Sequence, residues 1–365
     1  MYQIELKALK RANRFRERKL FDNNLIDFAS NDYLGFANNK KQFKKAYQTV
    51  KEYSIIAPKA SMLINGYHDI HNRFENTLSL LNGFEKGLVV GSGFLANMTL
   101  IESLVRKKDM LFIDEDYHAS GMMATGLLGD RVVKFRHNDA DDLEDKLKRY
   151  SSKRKIIAIE GVYSMSGELC NREIFELVNR YEALLIVDEA HSSGVVGEKL
   201  LGVFEYYGIT PQDNHIKMGT LGKAYGSYGA YILASNNIIS FLENRGKPII
   251  YATAPSIFDT ALALVNIKKI SNQSDKFVKE IKKRQNIVKK LLDIDLKSLI
   301  LPISVSSNEM VIELQERLIH QNGYLVGAIR QPTVDKPILR IIPRLGTSKK
   351  DLKSLLYQYK NISIY

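Results

Sequence analysis

Short apolar runs, several rich in β-branched residues, recur along the chain with amphipathic stretches between them. They are "KGLVVGSG", "DMLFIDED", "RVVKFRHND", "KIIAIEGVYS", "ALLIVDEAH", "HIKMGTLGK" and "GAYILAS". Strand-length runs alternating with helical patterns predict a parallel, mostly doubly wound α/β sheet. "FLANMTLIESLVRK", "DADDLEDKLKRY" and "REIFELVNRYE" repeat their apolar positions at helical spacing and read as crossover helices.

From about Tyr251 the pattern changes. "SIFDTALALVNIKKISNQSDKFVKEIKKRQNIVKKLLD" predicts long helices, followed by short strands near "LKSLILPISVSS", "YLVGAIR" and "ILRIIP". A last helix lies in "TSKKDLKSLLYQY", with Thr347 or Ser348 as its cap and Asp351 in its first turn. The expected organisation is an N-terminal arm (1–38), a large domain (39–255) and a smaller α+β domain (256–365). No Pro-rich linker, internal repeat or low-complexity tract interrupts the chain, so a continuous helix is expected at the join.

Composition narrows the class. No stretch approaches the roughly 20 uninterrupted apolar residues of a membrane span, and "MYQIELKALKRANRFRERKLF" lacks the apolar centre of a signal peptide. A single cysteine, Cys170, excludes an internal disulfide framework and a Cys-based zinc site. A soluble cytoplasmic protein without a membrane partner is expected. The formal charge of +12 raises the question of nucleic acid. However, the basic runs "KRANRFRERK" and "KEIKKRQNIVKK" read as solvated helix faces, and no aromatic residues interleave to stack bases.

Asp188-Glu189-Ala190-His191 spells the metal-and-ATP box of a helicase group, yet its other half is missing. In "GTLGKAYGS", Gly219 lies too close to Gly222 for a phosphate loop, and Ala224 stands where a hydroxyl is needed. "GSGF" at 91–94 lacks the third glycine of a dinucleotide fingerprint. His68 and His71, at i,i+3, have no carboxylate or cysteine to complete a metal set, so no metal is expected.

A different chemistry suits these strand ends, which lie where α/β sheets bind ligands. A carboxylate such as Asp188 can hold a protonated ring nitrogen, and Lys223, between glycines after a strand, can form a Schiff base. Pyridoxal phosphate requires both. "GSGFLANMTLIESLV" offers a glycine-rich approach to a helix N-terminus for the phosphate, and His118 in "DEDYHAS" can lie over the ring. Singly, Asp188 reads as a cap, Lys223 as a surface lysine and His118 as a loop histidine. The combination favours the cofactor.

These strings resemble the α-oxoamine synthases, fold-type I pyridoxal-phosphate enzymes with the aminotransferase-like architecture of a large, mostly parallel sheet domain and a smaller C-terminal α+β domain. The match starts at "DFASNDYLGF", passes through "GYHDIHNRFE", "GSGFLANM", "DEDYHAS", "KFRHNDADDLE", "EGVYSMSGE", "IVDEAHSSGVVGE" and "GTLGKAYGSYGAYI", and ends beyond "GAIRQPTV". It departs at "IIAPKASM", after "YATA" and at "PRLGT".

The resemblance implies a homodimer with shared active sites. Lys223 would carry the cofactor and act as base and acid, Asp188 would pair with the ring nitrogen, His191 and Ser164 would approach the ring hydroxyl, and His118 would stack on the ring. Gly93, Phe94 and Thr220, with Thr253 from a partner subunit, would hold the phosphate. "GAIRQPTV" is similar to the biotin-pathway branch, which joins L-alanine to a pimeloyl thioester of coenzyme A or acyl carrier protein. In that branch Thr333 would line the substrate site, Arg340 would grip the amino-acid carboxylate, Arg16 would meet the acyl group, and Asn31 would belong to the same substrate set. Family members that use glycine with acetyl-CoA or succinyl-CoA are the near alternative, and a nucleic-acid-binding protein the distant one.

Overall fold

The computed structural model describes residues 1–362, and every strand-length run of the large domain becomes a strand of one sheet. These are β1 (Lys86–Val90), β2 (Met110–Asp114), β3 (Val132–Phe135), β4 (Lys155–Glu160), β5 (Leu184–Asp188), β6 (His215–Thr220) and β7 (Ala230–Ala234). Their order is β1-β7-β6-β5-β4-β2-β3. All neighbours from β6 to β3 pair in parallel, whereas β7 runs antiparallel to both β1 and β6. Parallel strands covered by helices are buried on both faces, which is why these runs are nearly continuously apolar rather than alternating. Ile113, Ile156, Ile186, Ile216 and Ile232 line one core beneath helix α1 (Gly93–Leu104). Parallel alignment also places the carboxyl ends of β2, β4, β5 and β6 at one edge, so the loops starting after Asp114, Glu160, Asp188 and Thr220 emerge together.

The chain forms two compact units. One comprises Leu34–Ser164 and Glu168–Val278, the other Met1–Tyr33, Met165–Gly167 and Lys279–Tyr365. The passage near Val278 runs inside the helix Ser274–Leu292. Helix Ile257–Asn272, beyond the expected boundary at 255, lies in the larger unit because Ile257 and Ala261 pack on Ala46, Val50 and Ile70. The arm through Tyr33 lies in the smaller unit, where Ile26–Asp27 pairs in parallel with Tyr324–Leu325.

The smaller unit holds an antiparallel sheet of β8 (Leu301–Ser304), β9 (Gly327–Ile329) and β10 (Ile338–Ile341), in the order β9-β10-β8. Its core joins Phe28, Val311, Leu318, Leu339, Ile341 and Leu355. Ser348 is the cap of the final helix, its Oγ accepting the Asp351 N–H at 3.0 Å. The divergent "PRLGT" is built into this unit: buried Arg344 pairs with Asp27 at 2.6 Å and with Asp32.

The basic runs differ from a uniform picture of solvated helix faces. The first helix ends at Arg11 and residues 12–20 are not helical, because Asn13 takes a left-handed conformation (φ 50°) and Arg330 captures the Asn13 carbonyl at 3.1 Å. In the second run, Ile281, Arg284 and Val288 are buried, and Arg284 donates to the Thr347 carbonyl at 2.5 Å.

Candidate active site

Four strand ends of the large sheet each contribute a different group. β5 closes on Asp188, which is only 4% exposed. A buried carboxylate requires donors, and Asp188 has the Asn97 side-chain amide at 2.8 Å and the Ala190 N–H at 3.0 Å. The loop after β6 carries Lys223, whose Nζ lies 2.7 Å from Nε2 of buried His191. Asp188 and Lys223 both act electrostatically on His118 and Glu160, so these strand ends face one region.

Glu189, between them, has another task. Its Oε2 accepts from Ser192 Oγ at 2.5 Å and from the Val203 N–H at 2.9 Å, while Oε1 stands 3.6 Å from the fully buried Lys217 ammonium. Glycine is required at 202, where φ is +94° and any Cβ would collide with the Glu189 carboxylate.

The anion end is built by α1. Ser92 caps it, Oγ accepting the Leu95 N–H at 3.2 Å, and the remaining first-turn N–H groups give the helix start its partial positive charge. Gly93 lies beside Thr220, since a Cβ added there would meet Thr220 Cβ at 3.9 Å. Thr220 Oγ1 accepts the Gly222 N–H at 3.2 Å and donates to the Gly229 carbonyl at 3.1 Å, tying down the Lys223 loop. Phe94 is 46% exposed. Thr253 is exposed in the non-helical stretch before Ile257–Asn272.

His118 caps helix α2 (Ala119–Thr125), its Nδ1 receiving the Ser120 N–H at 3.3 Å and lying 2.7 Å from Ser120 Oγ. Its residue surface is exposed, yet the protein packed around the ring lowers the imidazole pKa; Asp188 opposes this and Lys223 adds to it. Buried Ser164 follows β4, its N–H donating to Glu160 Oε2 at 3.0 Å. Glu160 is the register partner of Asp188 on the neighbouring strand. Burial, and then Asp188, push the Glu160 carboxyl well above the usual range, against the pull of Lys223.

In the smaller unit, Arg340 is buried and donates to Asn31 Oδ1 at 2.9 Å. Arg16 donates to Thr333 Oγ1 at 2.7 Å beside a cavity of about 880 Å³ that they line with Lys19, Phe21, Ile319 and Arg330. The two pairs are therefore each brought together by the fold.

Sequence reasoning passed over Asn97, Ser120, Tyr117 and Glu160. The available signal was a lone amide in the apolar helix "GFLANMTLI", one turn beyond Gly93, and a carboxyl ending an otherwise apolar strand. His68 and His71 serve as helix caps: the His68 ring accepts from Ile70 N–H, His71 Nδ1 accepts from His68 N–H, and His71 Nε2 meets the Pro255 carbonyl at 2.9 Å. Among the described residues no cluster of three or more His, Cys, Asp or Glu is placed to hold a metal.

The donor set fits pyridoxal phosphate: a buried carboxyl group met by two N–H donors, a lysine amine beside a histidine, and a glycine-flanked helix start. Comparison with known proteins agrees. A family model described as aminotransferase class I and II matches residues 23–357. The chain is 44% identical to the 8-amino-7-oxononanoate synthase of Helicobacter pylori (strain ATCC 700392 / 26695), over 100% of this chain and 98% of that protein. Among solved structures, a serine palmitoyltransferase from S. paucimobilis with PLP and myriocin bound superposes with a TM-score of 0.88 at 20% identity, covering 99% of this chain and 97% of that one. An 8-amino-7-oxononanoate synthase from Francisella tularensis superposes with a TM-score of 0.78 at 24% identity, covering 94% and 100%. At these identities the two structures speak for the fold; the full-length sequence match goes further, and the chain belongs to the aminotransferase class I and II family, in its α-oxoamine synthase branch.

Proposed function

We propose that this protein condenses L-alanine with a pimeloyl thioester, using pyridoxal phosphate, to give 8-amino-7-oxononanoate, carbon dioxide and the free thiol, the carbon-chain-forming step of biotin synthesis. The observation that carries the chemistry is Lys223 Nζ at 2.7 Å from His191 Nε2, in the unit where Asp188 ends its strand. The choice of amino acid and acyl group rests on the 44% identity with the Helicobacter pylori enzyme.

Bound pyridoxal phosphate supplies an electron sink for negative charge at the amino acid's α-carbon. Asp188 holds the proton of the ring nitrogen, which keeps that sink effective. Lys223 Nζ takes the α-proton of alanine and later returns a proton to the product carbon, with His191 orienting the amine. The α-carbon then bonds to the thioester carbonyl carbon, the C–S bond breaks, the thiol leaves, and the alanine carboxylate departs as CO2. Backbone at Gly93 and Phe94, with Thr220 and the partner subunit's Thr253, would hold the phosphate, Ser164 and His191 would serve the ring hydroxyl, and His118 would lie against the ring. Arg340 grips the amino-acid carboxylate, a bidentate task suited to guanidinium, with Asn31 orienting it, and Arg16 and Thr333 meet the acyl substrate. A cytoplasmic homodimer is the form proposed to act. Among the described residues no helix is long and apolar enough to cross a membrane.

The test is the visible spectrum of cofactor-reconstituted protein, titrated with L-alanine and then glycine, with pimeloyl-CoA added to each. A band shifted by alanine, with thiol released only when pimeloyl-CoA arrives, is expected. A response to glycine alone would move the enzyme to glycine C-acetyltransferase or 5-aminolevulinate synthase chemistry. No band at all would end the cofactor reading.

A further inference from the structure

Behind Asp188 and His118 lie buried polar groups, Tyr117, Asn97 and Ser120, that the proposed reaction does not name. Tyr117, Asn97, Ser120 and Asp188 are each no more than 4% exposed, and buried polar groups need partners at every end. Tyr117 Oη bonds Asn97 Oδ1 at 2.7 Å, Asn97 Nδ2 bonds Asp188 Oδ2 at 2.8 Å and Ser120 Oγ at 2.9 Å, and Ser120 Oγ lies 2.7 Å from His118 Nδ1.

The direction of each bond follows from what each group can donate. A carboxylate only accepts, so the amide atom facing Asp188 is nitrogen, which leaves Asn97 Oδ1 to accept the Tyr117 phenol. The second Asn97 N–H goes to Ser120 Oγ, which keeps both a lone pair and its own proton, so the direction of the bond to His118 Nδ1 is set at the histidine. That nitrogen receives the Ser120 backbone N–H at 3.3 Å, so it carries no proton and accepts from the serine hydroxyl as well. Two donors fill Nδ1, so a neutral ring carries its proton on Nε2, the tautomer being inferred from the network. Glycine at 121 is part of the arrangement, because any Cβ there would collide with the Tyr117 ring and push the phenol off Asn97.

We propose that Asn97 and Ser120 form a directional relay that keeps the negative charge on Asp188 and the proton of His118 on Nε2, so that both are positioning residues for the site. The charge argument needs Glu160. Glu160 and Asp188 are register partners on adjacent strands, and a negative charge on one disfavours a negative charge on the other. Asp188 has donors on both oxygens, from Asn97 and Ala190, whereas Glu160 accepts the Ser164 N–H on Oε2 and its Oε1 is buried without a partner among the described residues. Asn97 therefore assigns the charge to the acid that serves the ring nitrogen and leaves the proton with Glu160. With Nδ1 consumed, His118 keeps an Nε2–H donor for the reacting molecules. The consequence for catalysis rests on the cofactor reading; the relay itself does not.

The experiment is nitrogen-15 NMR of histidine-labelled, cofactor-free full-length protein at neutral pH, with His118 assigned by its loss in His118→Gln. An Nε2–H imidazole is expected. An imidazolium or an Nδ1–H ring would overturn the relay irrespective of any cofactor. Ser120→Ala should let both tautomers appear at His118; an unchanged single tautomer would remove Ser120 from the relay. In cofactor-loaded protein, Asn97→Leu should move the pH midpoint of the visible band by about one unit, while Ser120→Ala leaves it in place. A band present with an unmoved midpoint in Asn97→Leu refutes the charge half, whereas a band absent from the wild type refutes the cofactor reading instead. If Asn97→Leu does not fold, the wild-type and Ser120→Ala spectra still decide the tautomer.

Discussion

Lys223 and His137 show how different two basic side chains of one sheet edge can be. Lys223 sits 2.7 Å from His191, and the proposed chemistry passes through its amine. Lys223→Ala should therefore abolish turnover and the visible band that depends on the covalent link, while far-UV circular dichroism stays that of the wild type; normal turnover would remove Lys223 from its role. His137 is structural. Burial disfavours its charged form, but Asp114 at 3.1 Å, Asp116 at 3.6 Å and Glu168 at 3.1 Å outweigh that and push the imidazole up to about 9. Tyr163 packs edge-on against the ring and donates to the same Asp114. A raised folded-state pKa stabilises wherever the ring is charged in the fold. The contribution, of order 3 kcal/mol for a shift from 6.5 to about 9, is complete below pH 6.5 and disappears as pH climbs through about 9. Urea unfolding from pH 6 to 10 should show that slope in the wild type and a flatter one in His137→Gln.

At the level of the element, one four-letter string divides its labour because it leaves a strand. Asp188 is the last residue of β5 and faces the ligand edge, while Glu189 turns under the sheet to meet Lys217 of β6. Burial lowers the Lys217 pKa and Glu189 raises it in return. Breaking a buried pair by removing one partner typically costs about 3 to 5 kcal/mol, because the other charge is stranded, whereas replacing both is far milder. Glu189→Ala should lower the urea midpoint sharply, and Lys217→Met should restore much of the loss in the double variant. Equal losses in the single and double variants would show that the pair is not energetically linked. Here the fold turns a helicase-like word into a buried acid at a strand end and a strut for a sheet.

For the whole molecule, part of the basic excess gathers where the arm borders a cavity. Lys10, Arg16, Lys19 and Arg330 outnumber Glu17 and Glu316 around a cavity of about 880 Å³ whose other walls include Phe15, Leu20 and Ile319. Coenzyme A carries phosphates and acyl carrier proteins are acidic, so a cationic rim should speed encounter, and the effect should fade as salt screens it over about 10 Å at 0.1 M. The second-order rate with carrier-bound substrate should fall as ionic strength rises, while turnover at saturation changes little. A rate that ignores salt would leave the charge without this use.

The order and type of nearly every element were legible in the chain, because buried parallel strands announce themselves as continuous apolar runs and crossover helices by their period. Lys223, Asp188, His191 and His118 stood out as strand-end residues of rare chemical type. Tertiary structure alone decided what depends on separate segments meeting. Helix Ile257–Asn272 joined the larger unit because its apolar face found Ala46, Val50 and Ile70 some two hundred residues upstream. Residues 12–20 left the helix because Arg330 offered their carbonyls a better partner. Asn97, Ser120 and Tyr117 became a relay only when α1 and α2 crowded against the end of β5 and water was excluded, since an amide or hydroxyl has no assigned direction until its neighbours dictate who donates. Periodicity records which face of an element is buried; it carries no record of which polar atoms will be buried together.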